Sequence, residues 1–378
     1  MAQPDGATFR VTGSFPVTQA TPAEAGKHYD PQPAVPAMLG KQMLAPLALT
    51  ESGEAVVAAA PKGKVANGEI ELVQSTIGMY RADALRPVSL APVRGEKARQ
   101  AIYGANRNGM TAWLETSSTN LYVGDWRIYA HDGTTTRVLG DSSEVVPGGQ
   151  LPIPPGAATP VIGEAAVYWP TMRPTKKRDE YTFEIVSRPL DGSGKLRTTA
   201  THAGLPAADG PDLYYVRSST FAAGFAKDKY EIHHIGADGR DRVAAAGRLS
   251  RGEELTSLTA SGGLVTWIVA SGEEKEAGQL YAWDAQRNEA THVKLADRGA
   301  FTVLSSSGRM LAWGNESGTG DSSMYLLDLR TEPRLFRVGD DASGLSYAIV
   351  AGNYVGWSDP SDAPEKPDDT PLRVGLWR

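Results

Sequence analysis

Six histidines, His28, His131, His202, His233, His234 and His292, are the side chains best matched to acid–base or metal chemistry near neutral pH. A metal site needs several such groups to converge, and their scatter along the chain offers no ligand spacing. There is no cysteine, which removes disulfides, thiolate metal sites and thiol nucleophiles together. The HExxH, GxSxG, Walker and post-strand GxGxxG patterns are absent as well. The segment GDSSM at Gly320 has only the outline of a serine nucleophile loop and falls in a hairpin. No catalytic residue is assigned, no metal or cofactor is expected, and the chain reads as a binding protein rather than an enzyme.

Charged loops carry the remaining chemistry. Arg173, Lys176, Lys177 and Arg178 stand together in TMRPTKKRDE (171–180), whereas SDPSDAPEKPDDTP (358–371) is acidic and SGEEKEAG (271–278) is mixed. The four basic residues suit an acidic partner or a carboxylated sugar; the plainer reading is a set of solubilising loops. Asp359, Asp362, Asp368 and Asp369 supply oxygens of the kind calcium favours, but their spacing matches no calcium loop. The net charge of −6 leaves no overall positive field, so a nucleic-acid partner is not expected. No apolar run approaches the ~18 residues that span a bilayer, and no membrane insertion is expected.

The elements that must position these residues show in a repeat. Trp113, Trp169, Trp267, Trp313 and Trp357 each close a short apolar run after a turn, as in GMTAW, GLVTW and GRMLAW. Tyr215 and Val57 fill the same slot, and the seven slots stand 44 to 56 residues apart. Each slot is followed by a polar loop, an alternating aromatic and aliphatic run, a turn and a further short strand with a basic residue. The clearest copies are QLYAWDAQRNEATHVKLAD from Gln279 and SMYLLDLRTEPRLFRVGD from Ser323. Period-two alternation between Gly, Asp, Asn and Pro predicts strands joined by hairpins. With another strand before each slot, every unit has four strands, the pattern of a β-propeller blade. Gly 41 and Pro 25 supply the turns that so many short strands need.

The chain is therefore expected to be an all-β, single-domain (1–378), seven-bladed β-propeller of four-stranded antiparallel blades. The last unit ends at Arg378 without a fourth strand, and ATFRVTGSF (7–15) resembles the fourth strands of other units. This predicts that the N-terminal strand 7–15 pairs with the C-terminal blade and closes the ring, which protects open edges. The Pro-rich segment 16–40 is expected to be a surface connector, since proline is excluded from central strands, and 41–378 to hold the blades. The slot aromatics are read as packing between blades, as are Trp126, Trp283 and Trp377.

A turn, an apolar run closing in Trp, a polar loop, Leu-Tyr-x-x-Asp and a basic outer strand together resemble the TolB-like propeller repeats of bacterial and archaeal envelope proteins. The resemblance covers the chain from about Lys41 onward. Propellers of this kind serve as protein-docking scaffolds, sugar-binding modules, lyases and peptidase lids. The last would need a further catalytic domain, for which seven blades leave no room. The expectation is a non-catalytic scaffold that binds a protein or cell-envelope glycan on its loop-rich face, with a polysaccharide lyase or glycosidase at the channel mouth as the alternative. Glu115, Arg217, Asn315 and Asp359, two residues after their slots, are the candidate rim contacts beside the four basic residues. His202 is the histidine best placed to face the channel. The absence of cysteine favours an extracytoplasmic protein; MAQPDG is not a secretory leader, which leaves the cytoplasm as the alternative. A monomer is expected.

Overall fold

The computed structural model describes residues 6–378 apart from 62–64, 67–68, 71–72, 92–93, 95, 120–123, 149–150, 152–158, 178–179, 219–225, 273–275, 300–301, 316–322, 341–346 and 359–369. Seven sheets stand in a ring. From inner to outer strand, blade 1 holds Gln42–Leu49, Ala55–Pro61, Thr76–Arg81 and Ala84–Pro87, and blade 2 holds Gln100–Arg107, Met110–Thr116, Arg127–His131 and Thr136–Asp141. Blade 3 is Val161–Ile162, Ala166–Pro174, Tyr181–Pro189 and Arg197–Thr201; blade 4 is Ala203–Asp209, Asp212–Arg217, Lys229–Ile235 and Asp241–Arg248. Blade 5 is Glu254–Ser261, Leu264–Ala270, Gln279–Asp284 and Glu289–Lys294; blade 6 is Thr302–Ser307, Met310–Asn315, Ser323–Asp328 and Arg334–Asp340. Blade 7 takes Ala348–Ala351, Tyr354–Ser358 and Leu372–Trp377 from the end of the chain. Consecutive inner strands touch around the ring, and that of blade 7 meets that of blade 1.

The repeat slot has one structural meaning throughout. Its side chain always enters the preceding blade: Trp113 packs on Val56 and Ile77, Trp169 on Leu114 and Ile128, and Tyr215 on Ile185. Trp267 packs on Val216 and Ile232, Trp313 on Ile268 and Leu280, Trp357 on Met324 and Leu326, and Val57 on Leu372 and Val374 of blade 7. Large flat side chains fill the wedge that widens between twisted sheets. The Gly-Asp ending of the fourth strands makes room for them. A Cβ on Gly140 would stand 2.6 Å from Trp169, and one on Gly339 would stand 2.8 Å from Trp357. The tyrosine of Leu-Tyr-x-x-Asp stacks on the slot ring across the sheet, at 5.5 Å for both Trp267–Tyr281 and Trp313–Tyr325. Its aspartate closes the next turn: Asp284 accepts from the Gln286 and Arg287 backbone, and Asp328 from Arg330. Trp126, Trp283 and Trp377 are buried, as expected.

The N-terminal segment closes the ring, but through a different strand from the one expected. Tyr29–Val35, inside the expected connector, pairs antiparallel with Leu372–Trp377 as the fourth strand of blade 7. Its prolines are tolerated because an outermost strand needs ladder bonds on one side only. Tyr29 stacks on Trp377 and meets Trp357 edge-on, while Arg378 pairs with Asp30. The segment 7–15 goes elsewhere: Arg10–Pro16 runs parallel to Glu289–Lys294 on the outside of blade 5. Thr21–Pro22 then runs parallel to Phe336–Arg337 of blade 6. Residues before the closing strand thus form a strap over successive outer edges, beginning where Thr8 bonds Ala246 of blade 4. Three sheets consequently exceed four strands, because Met38–Leu39 joins the inner edge of blade 1 and Ala226–Lys227 that of blade 5.

Candidate functional site

The two faces of the ring are built differently. On one, the first and second strands are joined by two-residue turns in five blades, Asn108–Gly109 and Gly262–Gly263 among them, and hydrogen bonds tie hairpins of neighbouring blades together. Asn108 and Gly109 both have positive φ, the signature of a tight hairpin. Glu164 donates its N–H to the Gly210 carbonyl, and Val350 and Gly352 donate theirs to the Ser305 and Ser307 hydroxyls. Arg107 of blade 2 reaches past the short inner strand of blade 3 to the Ala208 carbonyl and to Asp209 of blade 4, at 2.7 Å from the carboxylate. Asp209 also accepts the Gly263 N–H of blade 5 at 2.8 Å. Backbone bonds and the largely buried Arg107–Asp209 ion pair tie blades together on this face.

The other face is where second strands end and third strands begin, at Pro61, Thr116, Pro174, Arg217, Ala270, Asn315 and Ser358, and where the chain crosses from blade to blade. Inner strands open on it through Gln42, Gln100, Val161, Ala203, Glu254, Thr302 and Ala348. The added strands Met38–Leu39 and Ala226–Lys227 border the central channel here.

The expected rim residues among those described can be placed one by one. Glu115 lies on the blade 1 side of blade 2, on the same strand face as Trp113, and is 4% exposed. It accepts the Trp113 indole N–H at 2.8 Å. Burial pushes its carboxyl above the ordinary range, against the pull of the Trp113 bond and the nearby Arg99 charge. Arg99 pairs with Asp125, which also accepts the Ser117 N–H at 2.7 Å. Burial pushes Asp125 up, but the bonds from Ser117 and the Arg99 charge outweigh it and leave the carboxyl below its usual range. Arg127, opposite Glu115 across the sheet, bonds Asp141 at 3.0 Å and Glu96 at 3.3 Å. Tyr129, stacked on Trp113, has its hydroxyl raised first by burial and then by Glu115.

Arg173 turns inward to buried Glu184 at 3.0 Å and to the Val145 carbonyl. Lys176 is exposed, and Lys177 stands 3.5 Å from Glu180. Arg217 lies over the Tyr215 ring and reaches Asp241 at 3.3 Å. Asn315 ends its strand opposite Thr302. Arg178 and Asp359, with Asp362, Asp368, Asp369 and Gly320, lie outside the described residues. Glu115, Arg173 and Arg217 therefore sit in three consecutive blades, each engaged with its own blade or an adjoining loop rather than with one another.

The histidines do not converge either. His131 bonds Thr136, His234 bonds Asp212, His292 bonds Ser14 and Gln279, and His28 stacks near Phe336 and Trp377. His233 lies between Asp241 at 2.7 Å and Glu231 at 3.4 Å, stacked on Tyr215. His202 is exposed at the passage into the inner strand of blade 4, with φ +52°. Among the described residues no group of three or more His, Cys, Asp or Glu is arranged to hold a metal ion.

The network of Arg99, Asp125, Arg127, Tyr129 and Asp141 was not legible in the sequence. Its members lie up to 42 positions apart and meet through strand register. The only sequence trace is the alternation in DWRIYAHD, which puts Asp125, Arg127 and Tyr129 on one side of a strand.

No protein-family model and no curated protein matches the chain. Solved structures do. The uncharacterized protein lmo1340 of Listeria monocytogenes EGD-e is 8% identical with a TM-score of 0.46, over 85% of this chain and 90% of that one. Apo AztD of Citrobacter koseri is 15% identical with a TM-score of 0.41, over 88% and 87%. Uncomplexed Pyrococcus horikoshii acylaminoacyl peptidase is 9% identical with a TM-score of 0.44, over 91% of this chain and 59% of the peptidase. In two further acylaminoacyl peptidase structures the match takes 35% of the peptidase chain, so this chain spans well under two thirds of their length. Such likenesses concern the fold alone.

Proposed function

We propose that the chain is a non-catalytic, extracytoplasmic scaffold that binds a protein or cell-envelope glycan on its loop-bearing face as a monomer. The observation that carries this reading is the asymmetry of the two faces. A ring tied together across its hairpin side has on the other the seven connections from second to third strands, whose sequences differ in length and charge, an arrangement suited to recognition. The acid and base groups beneath those loops support it as well. Arg99, Arg127, Arg173 and Arg217 are each paired with a carboxylate of the same ring, which suits positioning of loops more than turnover. Recognition falls to Lys176, Lys177 and Arg178, with Arg173 anchoring their loop, and the ligand class is anionic.

One observation favours the alternative, a lyase or glycosidase. Glu115 is held with a raised carboxyl beside Tyr129 and Arg99, which is how a general acid is kept protonated. It stands one strand out from the channel.

Oligogalacturonides titrated calorimetrically into the full chain, with unsaturated and reducing-end products followed in parallel, separate the two. Binding without product, weakened about tenfold or more by Lys176→Gln, Lys177→Gln and Arg178→Gln together, supports the scaffold. Product that disappears in Glu115→Gln overturns it in favour of the enzyme. Binding indifferent to the three substitutions removes the basic loop from the site.

A further inference from the structure

The strap holds a buried histidine against blade 5. His292, 3% exposed, lies on the fourth strand of that blade directly opposite Ser14 of the strap. The Gln279 amide donates to the Ala277 carbonyl at 2.8 Å, so its oxygen faces the imidazole and receives the Nε2 proton. Nδ1 then accepts from the Ser14 hydroxyl at 2.8 Å. Both ring nitrogens are satisfied by a neutral imidazole, and the two groups bonded to it are uncharged. Tyr281, whose ring lies 5.2 Å away, faces it from the third strand. Lys294 is the cation on its own strand. Arg10 and Glu289 pair with each other at the far end of the strap, and Glu253 acts on Tyr281 from the crossing into the blade. Next to this site Phe9 is 3% exposed and meets Trp267 edge-on at 5.2 Å and Tyr281 at 6.0 Å.

We propose that the strap is an acid-sensitive latch: protonation of His292 loosens Arg10–Pro16 from the edge of blade 5 and withdraws Phe9 from the Trp267 and Tyr281 rings. A second proton on the imidazole places a cation in a buried site near Lys294, where its hydrogen-bond partners among the described residues, Ser14 and Gln279, are uncharged. Release lets the ring reach water. The latch is separable from ring closure, because closure belongs to Tyr29–Val35 on blade 7, beyond the turn Val17–Gln19. It is independent of the loop-face reading, since it lies on the outer rim.

Burial, reinforced by the positive charges of the N-terminal amine and Lys294, lowers the His292 imidazole from 6.5 to about 4. A histidine lowered on closure favours the closed strap above its free value and loses that preference as pH falls toward the bound one. The closed-to-open ratio therefore drops about 30-fold between pH 8 and pH 5. Hydrogen exchange of the full chain reads this directly. Amide protection across Arg10–Pro16, corrected for intrinsic rates, should fall by that factor, while protection of Arg334–Asp340 in blade 6 stays constant. His292→Gln should keep strap protection level with pH. Equal acid loss in His292→Gln, or no loss in the parent chain, overturns the latch. Should His292→Gln leave the strap open at every pH, proton NMR titration of His292 in the parent chain decides: a pKa well under 6.5 supports the latch, and one at or above 6.5 overturns it.

Discussion

A slot tryptophan and a rim carboxylate two residues later share one strand face, and their different chemistry gives opposite energetic signatures. Trp313 is 3% exposed against Ile268, Leu280 and Tyr325, so Trp313→Ala leaves a cavity in an inter-blade wedge. A loss of about 3–5 kcal/mol is expected in denaturant unfolding; an unchanged midpoint contradicts the packing role. Glu115 presents the reverse case. Its carboxyl is raised in the folded state, so its contribution to stability is full below the unfolded value near 4.5 and is lost as pH rises through the folded one. Glu115→Gln keeps the shape and an acceptor for the Trp113 indole without the buried charge. The variant should gain on the parent chain between pH 4.5 and pH 8 in thermal unfolding. A parallel pH profile would show that the charge is fully compensated by Arg99.

Between elements, the contacts that count are those crossing from blade to blade on the hairpin face. Arg107 joins blade 2 to blade 4, and Asp209 continues the link to blade 5 through the Gly263 N–H. Both side chains are about three-quarters buried, so truncating one strands a partner in a site of reduced solvation. Arg107→Ala is expected to cost about 1–3 kcal/mol. A double-mutant cycle with Asp209→Ala should return a coupling energy well above the small values of exposed pairs. Additive effects would mean that the bridge adds nothing to cohesion on that face.

At the scale of the whole molecule, the N-terminal segment has two separate tasks. Removing residues 1–16 takes away the strap on blade 5 but leaves Tyr29–Val35 to complete blade 7. That chain should retain its β-sheet circular dichroism with a lowered midpoint. Removing 1–35 deletes the closing strand and exposes the edge of Leu372–Trp377, together with the faces of Trp357 and Trp377 that Tyr29 covers. Cooperative unfolding should be lost. Equal behaviour of the two truncations would contradict the division between latch and closure.

The seven blades, their four-strand plan and the packing role of the slot aromatics were legible in the sequence. A strand's alternation and its bounding turns are local, and the blade repeats them seven times. Closure by the N-terminal segment was legible too, because the last repeat shows three strands where the others show four. Which strand closes was not: 7–15 and Tyr29–Val35 each alternate enough to pair, and the choice rests on Tyr29 stacking between Trp357 and Trp377 while Phe9 finds Trp267 instead. The candidate site was legible only as loops and charges. Pairing of Arg127 with Asp141, burial of Glu115 beside Trp113 and the reach of Arg107 to Asp209 depend on register and on neighbouring blades. Local periodicity decided the architecture of this chain; its edges, its ion pairs and the protonation of its buried groups were decided by which surfaces the closed ring brings into contact.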